Sequence, residues 1–212
     1  MTEKLKYAII GAGCMGQEHI LNIEIIDDAE VVALCDTSEK SIKESLDLLN
    51  NDVAIFDNYI DLVEANIADA FIIATPNFTH IEVLKEVMKS EAHLLIEKPL
   101  CTTVKDCQEF EKLAVDYPGV IWTAMEYRYM PPVQRMIKEI HNKTIGDLKM
   151  LSIREHRFPF LHKVDDWNRF SIKTGGTLVE KCCHFFDLMR LIAQSEPLKV
   201  YASGNQDVNH LN

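Results

Sequence analysis

The sequence predicts an α/β protein: a doubly wound parallel sheet followed by the start of an α+β antiparallel-sheet domain. Three observations carry that prediction. Short apolar runs alternate with helical stretches, over short connections, as far as residue 124. The first run ends in Gly11-Ala12-Gly13-Cys14-Met15-Gly16, and the second ends in an acid. After Pro131-Pro132 the rhythm changes, and a long segment of period two appears.

Residues 6–10 are a short apolar run closed by glycine, as expected of a buried parallel strand, and residues 14–25 read as the helix after it. A second strand spans 30–35, followed by a helix at 38–49 capped by Ser38. Strands at 54–56, 70–74, 93–96 and 120–124 alternate with helices at 59–65, 78–89 and 104–115. Beyond them, a helix at 133–140 leads to the turn-like Lys143-Thr144-Ile145-Gly146-Asp147. Residues 148–158 alternate as a long strand, and 159–174 read as a loop rich in charge and aromatics. A helix at 178–193 and a strand at 198–203 complete the pattern.

With 212 residues, 47% of them hydrophobic, the chain can bury a sizeable core and suits one domain plus part of another. Its net charge of -11 argues against nucleic acid, which is held by clustered Lys and Arg. No basic amphipathic helix offers itself to a membrane, and no run approaches the ~18 apolar residues of a span. The first residues run directly into a strand, without the apolar region of a signal peptide. Six cysteines show neither a CxxC pair nor zinc spacing, so reduced thiols, a cytoplasmic setting and no metal are expected.

The glycine motif stands between a strand and a helix. Gly11 allows the tight turn, Gly13 lets a pyrophosphate approach the backbone, and Gly16 lets helix pack closely on strand. The first N–H groups of the helix, at Cys14 and Met15, face the phosphates. Asp36 closes the next strand twenty residues after Gly16, where an acid can accept both ribose hydroxyls. That acid would repel a 2′-phosphate, and Thr37-Ser38-Glu39 offers no arginine to hold one, so NAD is favoured over NADP. This is a Rossmann-type arrangement, assigned to residues 1–125, with 126–212 as a partial second domain.

Three further segments fall at strand ends or on a polar helix face. Thr75-Pro76-Asn77-Phe78-Thr79-His80 lies at the carboxyl end of the fourth strand, in the crevice where such folds bind ligands; Asn77 is a ligand contact, a cap for the helix beginning at Phe78, or both, and His80 meets either cofactor or solvent. Glu97-Lys98-Pro99 ends the fifth strand, and the proline holds Lys98 extended so that its ammonium can polarise a substrate oxygen. Otherwise, Lys98 is a surface lysine paired with Glu97. Gly175-Gly176 opens an apolar helix on which Glu180, His184 and Asp187 share one face, an acid beside an imidazole suited to proton transfer. Cys182 and Cys183 flank that histidine as packing residues.

Taken together, these motifs resemble the glucose–fructose oxidoreductase / inositol dehydrogenase / MocA family from about Lys6 to Ser203. The resemblance implies a Rossmann domain that binds NAD(P), and a mostly antiparallel second domain that shapes the substrate pocket and forms homo-oligomers. It places the family's lysine at Lys98, its helix histidine at His184, and its acid, often Asp in relatives, at Glu180. Arg128, in Glu126-Tyr127-Arg128-Tyr129, maps to where relatives contact nicotinamide and substrate, or else forms a structural ion pair. Asp166-Trp167-Asn168-Arg169 resembles the loop that relatives fold over the cofactor, though Trp167 alternatively plugs the interdomain seam.

The activity implied is oxidation of a secondary alcohol on a polyol or sugar. His184 would take the hydroxyl proton, Glu180 would orient the imidazole or share that proton, and Lys98 would steady the oxygen. Two alternatives stay open: an NAD-recycling glycosidase of the same family, and a truncated dinucleotide-binding protein without turnover. Full-length relatives run past about 300 residues by the same resemblance, so the chain is expected to be shortened in its second domain.

Overall fold

Six parallel strands form one sheet in the order β3-β2-β1-β4-β5-β6. They are β1 (Leu5–Ile10), β2 (Ala29–Cys35), β3 (Ala54–Phe56), β4 (Ala70–Ile73), β5 (His93–Ile96) and β6 (Ile121–Thr123). The computed structural model describes residues 4–156 and 163–205 and divides into two compact units, Met1–Ala124 and Met125–Asn212. The sheet belongs entirely to the first.

The central strands are apolar at consecutive positions because both of their faces are covered. Ala8 and Ile10 of β1 join Phe71, Ile73, Leu94 and Ile96 in one core. Packed on that face are α3 (Tyr59–Ala65), α4 (His80–Val87) and α5 (Val104–Ala114), through Leu62, Leu84, Val87 and Phe110. Ile9 points the other way, joining Val31, Leu34 and Ile72 beneath α1 (Cys14–Ile23) and α2 (Glu39–Leu46). The edge strands bury less, leaving Ile55 and Trp122 about half exposed. Ser38 caps α2, its hydroxyl accepting from the Ser41 N–H at 3.2 Å.

Strand order reverses direction between β1 and β4. Connections from the two leave toward opposite sides, so a crevice opens at the carboxyl ends of the strands there. The segments following β1, β2, β4 and β5 all reach that end of the sheet.

In the second unit, α6 (Pro131–His141) starts on a proline pair, whose missing N–H groups cost nothing in a first turn. A 3-10 segment (Val164–Arg169), α7 (Ser171–Thr174), α8 (Thr177–Glu180) and α9 (Cys183–Ala193) follow. The expected strands at 148–158 and 198–203 do not appear among the described residues, and 157–158 lie outside them. An alternating pattern specifies a face, but a strand exists only when a neighbour takes its N–H and C=O groups. Leu198, Val200 and Tyr201 are accordingly 84–93% exposed. Within the described residues, no helix is long and apolar enough to cross a membrane.

Phe71 is 2% exposed and, with Phe110, is one of the two phenylalanines buried in its core. Phe71→Ala is expected to destabilise the first unit by about 3–5 kcal/mol. Urea denaturation followed by circular dichroism measures this as a lowered midpoint.

Candidate functional site

The glycine turn is built by backbone packing on backbone. Gly11 has φ +99, and a Cβ there would lie 2.6 Å from the Ala74 carbonyl and the Thr75 nitrogen. Gly16 is tighter still, since its Cβ would come within 2.1 Å of the Gly11 carbonyl oxygen. Gly13 differs from both. Its φ of -77 is open to any residue, and a Cβ there would meet nothing within 4 Å. Gly13 caps α1 without a side-chain hydrogen bond, and no acid occupies the first turn, where Cys14 and Met15 are exposed. An open N-terminus of a ten-residue helix, with no acid in its own first turn, fits a diphosphate.

Asp36 sits directly on this turn. Its Oδ2 accepts from the Ala12 N–H at 2.8 Å, and its Oδ1 accepts from the Ser38 N–H at 2.8 Å. A carboxylate has about four lone-pair positions, so two remain for ribose hydroxyls.

Across the crevice, Thr75 and Pro76 form a tight turn in which the Thr79 hydroxyl reaches Thr75 Oγ1 at 2.8 Å and the Pro76 carbonyl at 2.7 Å. Asn77 is buried, and its Nδ2 has no hydrogen-bond partner among the described residues. It is not a helix cap: a 3-10 turn at Asn77–Thr79 intervenes, and α4 begins at His80. A buried amide donor left over at a strand's carboxyl end is a group that a bound ligand can satisfy.

His80 is closed off from solvent, with both ring nitrogens turned to backbone carbonyls. It is 0% exposed, with Nδ1 at 3.0 Å from the Pro99 carbonyl and Nε2 at 3.0 Å from the Thr75 carbonyl. Burial pushes its pKa below 6.5, against the pull of those carbonyls and Glu97. The ring is a strut between the Thr75 turn and the segment after β5, closed off because both its nitrogens face backbone.

Glu97 is also buried, but its carboxylate is not spent on Lys98's ammonium. Oε1 meets His19 Nε2 of α1 at 2.8 Å, and Oε2 accepts the Lys98 backbone N–H at 3.2 Å. Burial raises the Glu97 pKa, yet the His19 bond and the charges of His19 and Lys98 outweigh it and hold the carboxyl below 4.5. Lys98, half-buried and joined to Pro99 by a cis peptide, is thereby tied to the helix that begins at Cys14. His19 went unrecognised in the sequence. Its signal was its place one helical turn beyond Gly16, on the side of α1 that faces the sheet.

In the second unit the expected single helix is interrupted. Glu180 ends α8, Lys181 (φ -112, ψ -47) and Cys182 (φ -74, ψ -6) break the ladder, and His184 lies in the first turn of α9. The i, i+4 face predicted for Glu180 and His184 is therefore not one continuous helix face. Lys181 turns inward at the break: it is 8% exposed, its Nζ bonds the Tyr127 hydroxyl, and Glu155 lies 3.7 Å away. His184 is 1% exposed, stacked on Tyr127 with centroids 4.2 Å apart, its Nε2 3.4 Å from Glu126 Oε1. Arg128 and Asp187 form a two-pronged ion pair, with Nε to Oδ2 at 2.5 Å. Both partners belong to the second unit. Trp167 and Arg169 are half-buried on the 3-10 segment. Glu126 and Tyr127 were not legible as partners of His184, because more than fifty residues separate the two segments.

The described residues contain no group of three or more His, Cys, Asp or Glu side chains arranged to hold a metal ion.

Comparison with known proteins agrees with the fold. Residues 5–125 match a family model described as an oxidoreductase family with an NAD-binding Rossmann fold, and residues 137–211 match its C-terminal alpha/beta domain. A myo-inositol 2-dehydrogenase of Thermotoga maritima is 28% identical over 203 residues, covering 95% of this chain and 58% of that protein. The crystal structure of myo-inositol 2-dehydrogenase from Lactobacillus plantarum superposes with TM-score 0.75 at 22% identity, over 92% of this chain and 58% of that one. Scyllo-inositol dehydrogenase from Lactobacillus casei, solved with NAD(H) and scyllo-inositol, gives TM-score 0.74 at 16% identity, over 91% and 57%. The chain thus spans less than two thirds of the length of each.

Two predictions test the site. Gly13→Val is expected to leave folding stability within about 1 kcal/mol, as for a surface change, while abolishing dinucleotide binding in calorimetric titration; Gly16→Val should fail to fold. For Glu97, His19→Ala leaves a buried acceptor short of a partner and should cost about 1–3 kcal/mol at pH 7. Because the folded-state pKa of Glu97 is depressed, its stabilising contribution is present above 4.5 and disappears as pH falls through the lower folded value. Denaturation midpoints of wild type and Glu97→Gln should therefore converge in acid.

Proposed function

This chain belongs to the glucose–fructose oxidoreductase / inositol dehydrogenase / MocA family of oxidoreductases, and from that premise we propose that it oxidises a secondary alcohol of a polyol or sugar with NAD as hydride acceptor. The observation that carries the reading is the Asp36 carboxylate seated 2.8 Å from the Ala12 N–H, beside an open helix N-terminus. NAD is preferred over NADP because that carboxylate stands where a 2′-phosphate would have to lie. The polyol class is supported by relatives named as inositol dehydrogenases and by one solved with NAD(H) and scyllo-inositol.

Bound NAD supplies the hydride acceptor; placement and electrostatics fall to the protein. Gly11 and Gly16 hold the turn tight, Gly13 lets the diphosphate reach the backbone, Asp36 takes the ribose hydroxyls, and Thr75, Pro76 and Asn77 border the crevice at β4. Lys98 presents an ammonium to the substrate oxygen and stabilises the negative charge that develops there. Glu97 holds its backbone in place. His184 accepts the hydroxyl proton, with Glu180 assisting and Glu126 balancing the imidazolium. Arg128, through donors not spent on Asp187, and Trp167 with Arg169 complete the proposed cofactor contacts. A reducing cytoplasm, in which all six thiols stay free, belongs to the same proposal.

The test is to titrate the purified chain with NAD+ and NADP+ by calorimetry, then to screen polyols for NADH formation. NAD+ should bind more tightly, and Lys98→Met should lower turnover by about a hundredfold or more with NAD+ affinity unchanged. Tighter NADP+ binding would overturn the cofactor assignment, and full turnover by Lys98→Met would remove the lysine from the reaction. Binding without reduction of NAD+ identifies a dinucleotide-binding chain without turnover. Release of an aglycone without net NADH identifies the glycosidase.

A further inference from the structure

We propose that Tyr127 and Lys181 are positioning residues for the His184 imidazole: Lys181 anchors the Tyr127 phenol, and the Tyr127 ring fixes the plane in which His184 works. The proposal rests on the reading of His184 as proton acceptor, and every residue in it belongs to the second unit.

The imidazole and phenol rings lie nearly parallel, 9° apart with centroids at 4.2 Å. Rotation of a histidine about its last side-chain torsion is otherwise broad, because the well is shallow and roughly two-fold. A ring laid flat against one face removes that freedom, since turning the imidazole out of plane would drive its edge into the phenol. The plane so chosen leaves Nε2 3.4 Å from Glu126 Oε1. A phenol can act as such a wall only if it is itself held, and here Lys181 Nζ bonds its hydroxyl and lies 4.6 Å from its ring centroid.

Lys181 is the costly member of the group. An ammonium 8% exposed has lost most of its water, a loss repaid only by well-placed partners. Those partners are the Tyr127 hydroxyl and the Glu155 carboxylate at 3.7 Å. A leucine or methionine could fill the same space without that cost. What the ammonium adds over an apolar residue is a directed bond that fixes the phenol, made by a lysine three residues before His184 at the break between α8 and α9.

Two readouts test the proposal in the full chain. In histidine-labelled protein, with the His184 signal assigned from its loss in His184→Gln, the imidazole carbon-bound protons should lie upfield of the other histidines through the Tyr127 ring current. Tyr127→Leu should abolish that displacement, Tyr127→Phe and Lys181→Met should reduce it, and Lys181→Arg should restore part of it. In turnover, Tyr127→Phe and Lys181→Met should lower kcat by about tenfold to a hundredfold, the scale of a misplaced catalytic group, leaving NAD+ affinity unchanged. An ordinary His184 shift in the wild type, or a Lys181→Met variant with unaltered shift and kcat, would overturn the proposal. If the wild type shows no turnover, the dehydrogenase reading fails and the spectrum alone decides the positioning role. Wild-type circular dichroism and thermal midpoint in each variant separate these outcomes from a failure to fold.

Discussion

Between Gly11 and the carboxyl end of β4 there is no room for a side chain, and the first unit is arranged around that contact. A Cβ on Gly11 would stand 2.6 Å from Ala74 and Thr75 backbone atoms, and one on Gly16 2.1 Å from the Gly11 oxygen. Such approach brings α1, β1 and the Thr75 turn together at the point where strand order reverses. Asp36 then closes the turn from β2, and the cradle is made of backbone N–H groups rather than of flexible cations. The positive end of a helix can attract an anion there even in a chain whose net charge is -11.

The same economy governs β5. Glu97 is buried and charged, a combination that persists because His19 and the Lys98 N–H occupy its oxygens. The consequence is mechanical as much as electrostatic: the lysine after the strand is registered against the cofactor helix through a side-chain bridge. His80 adds a second brace, from the Thr75 carbonyl to that of Pro99. The segments after β4 and β5 are thus tied to each other, and the segment after β5 is also tied to α1.

The second unit solves a different problem, holding an imidazole without a regular helix face. Residues 126–128 lie against residues 181–187 through Glu126 to His184, Tyr127 to both Lys181 and His184, and Arg128 to Asp187. Mutual contact of this kind restricts the rotamers of every side chain in the group.

Much of the first unit was legible from residues alone. Apolar runs that ignore alternation have one physical meaning in an α/β chain, burial on both faces, and a glycine with no room for a Cβ leaves its mark as a glycine in the sequence. The spacing from Gly16 to Asp36 likewise encodes a contact, because a helix and a return strand span a fixed distance. What the tertiary structure alone decided were the partnerships over long separations and the cost of burial: Glu97 with His19 rather than Lys98, His80 closed off by carbonyls, Lys181 turned inward. The alternating segments at 148–158 and 198–203 make the same point from the other side. Periodicity names the face a strand would present, but whether it becomes a strand depends on a neighbour's hydrogen bonds, and no local pattern carries that information.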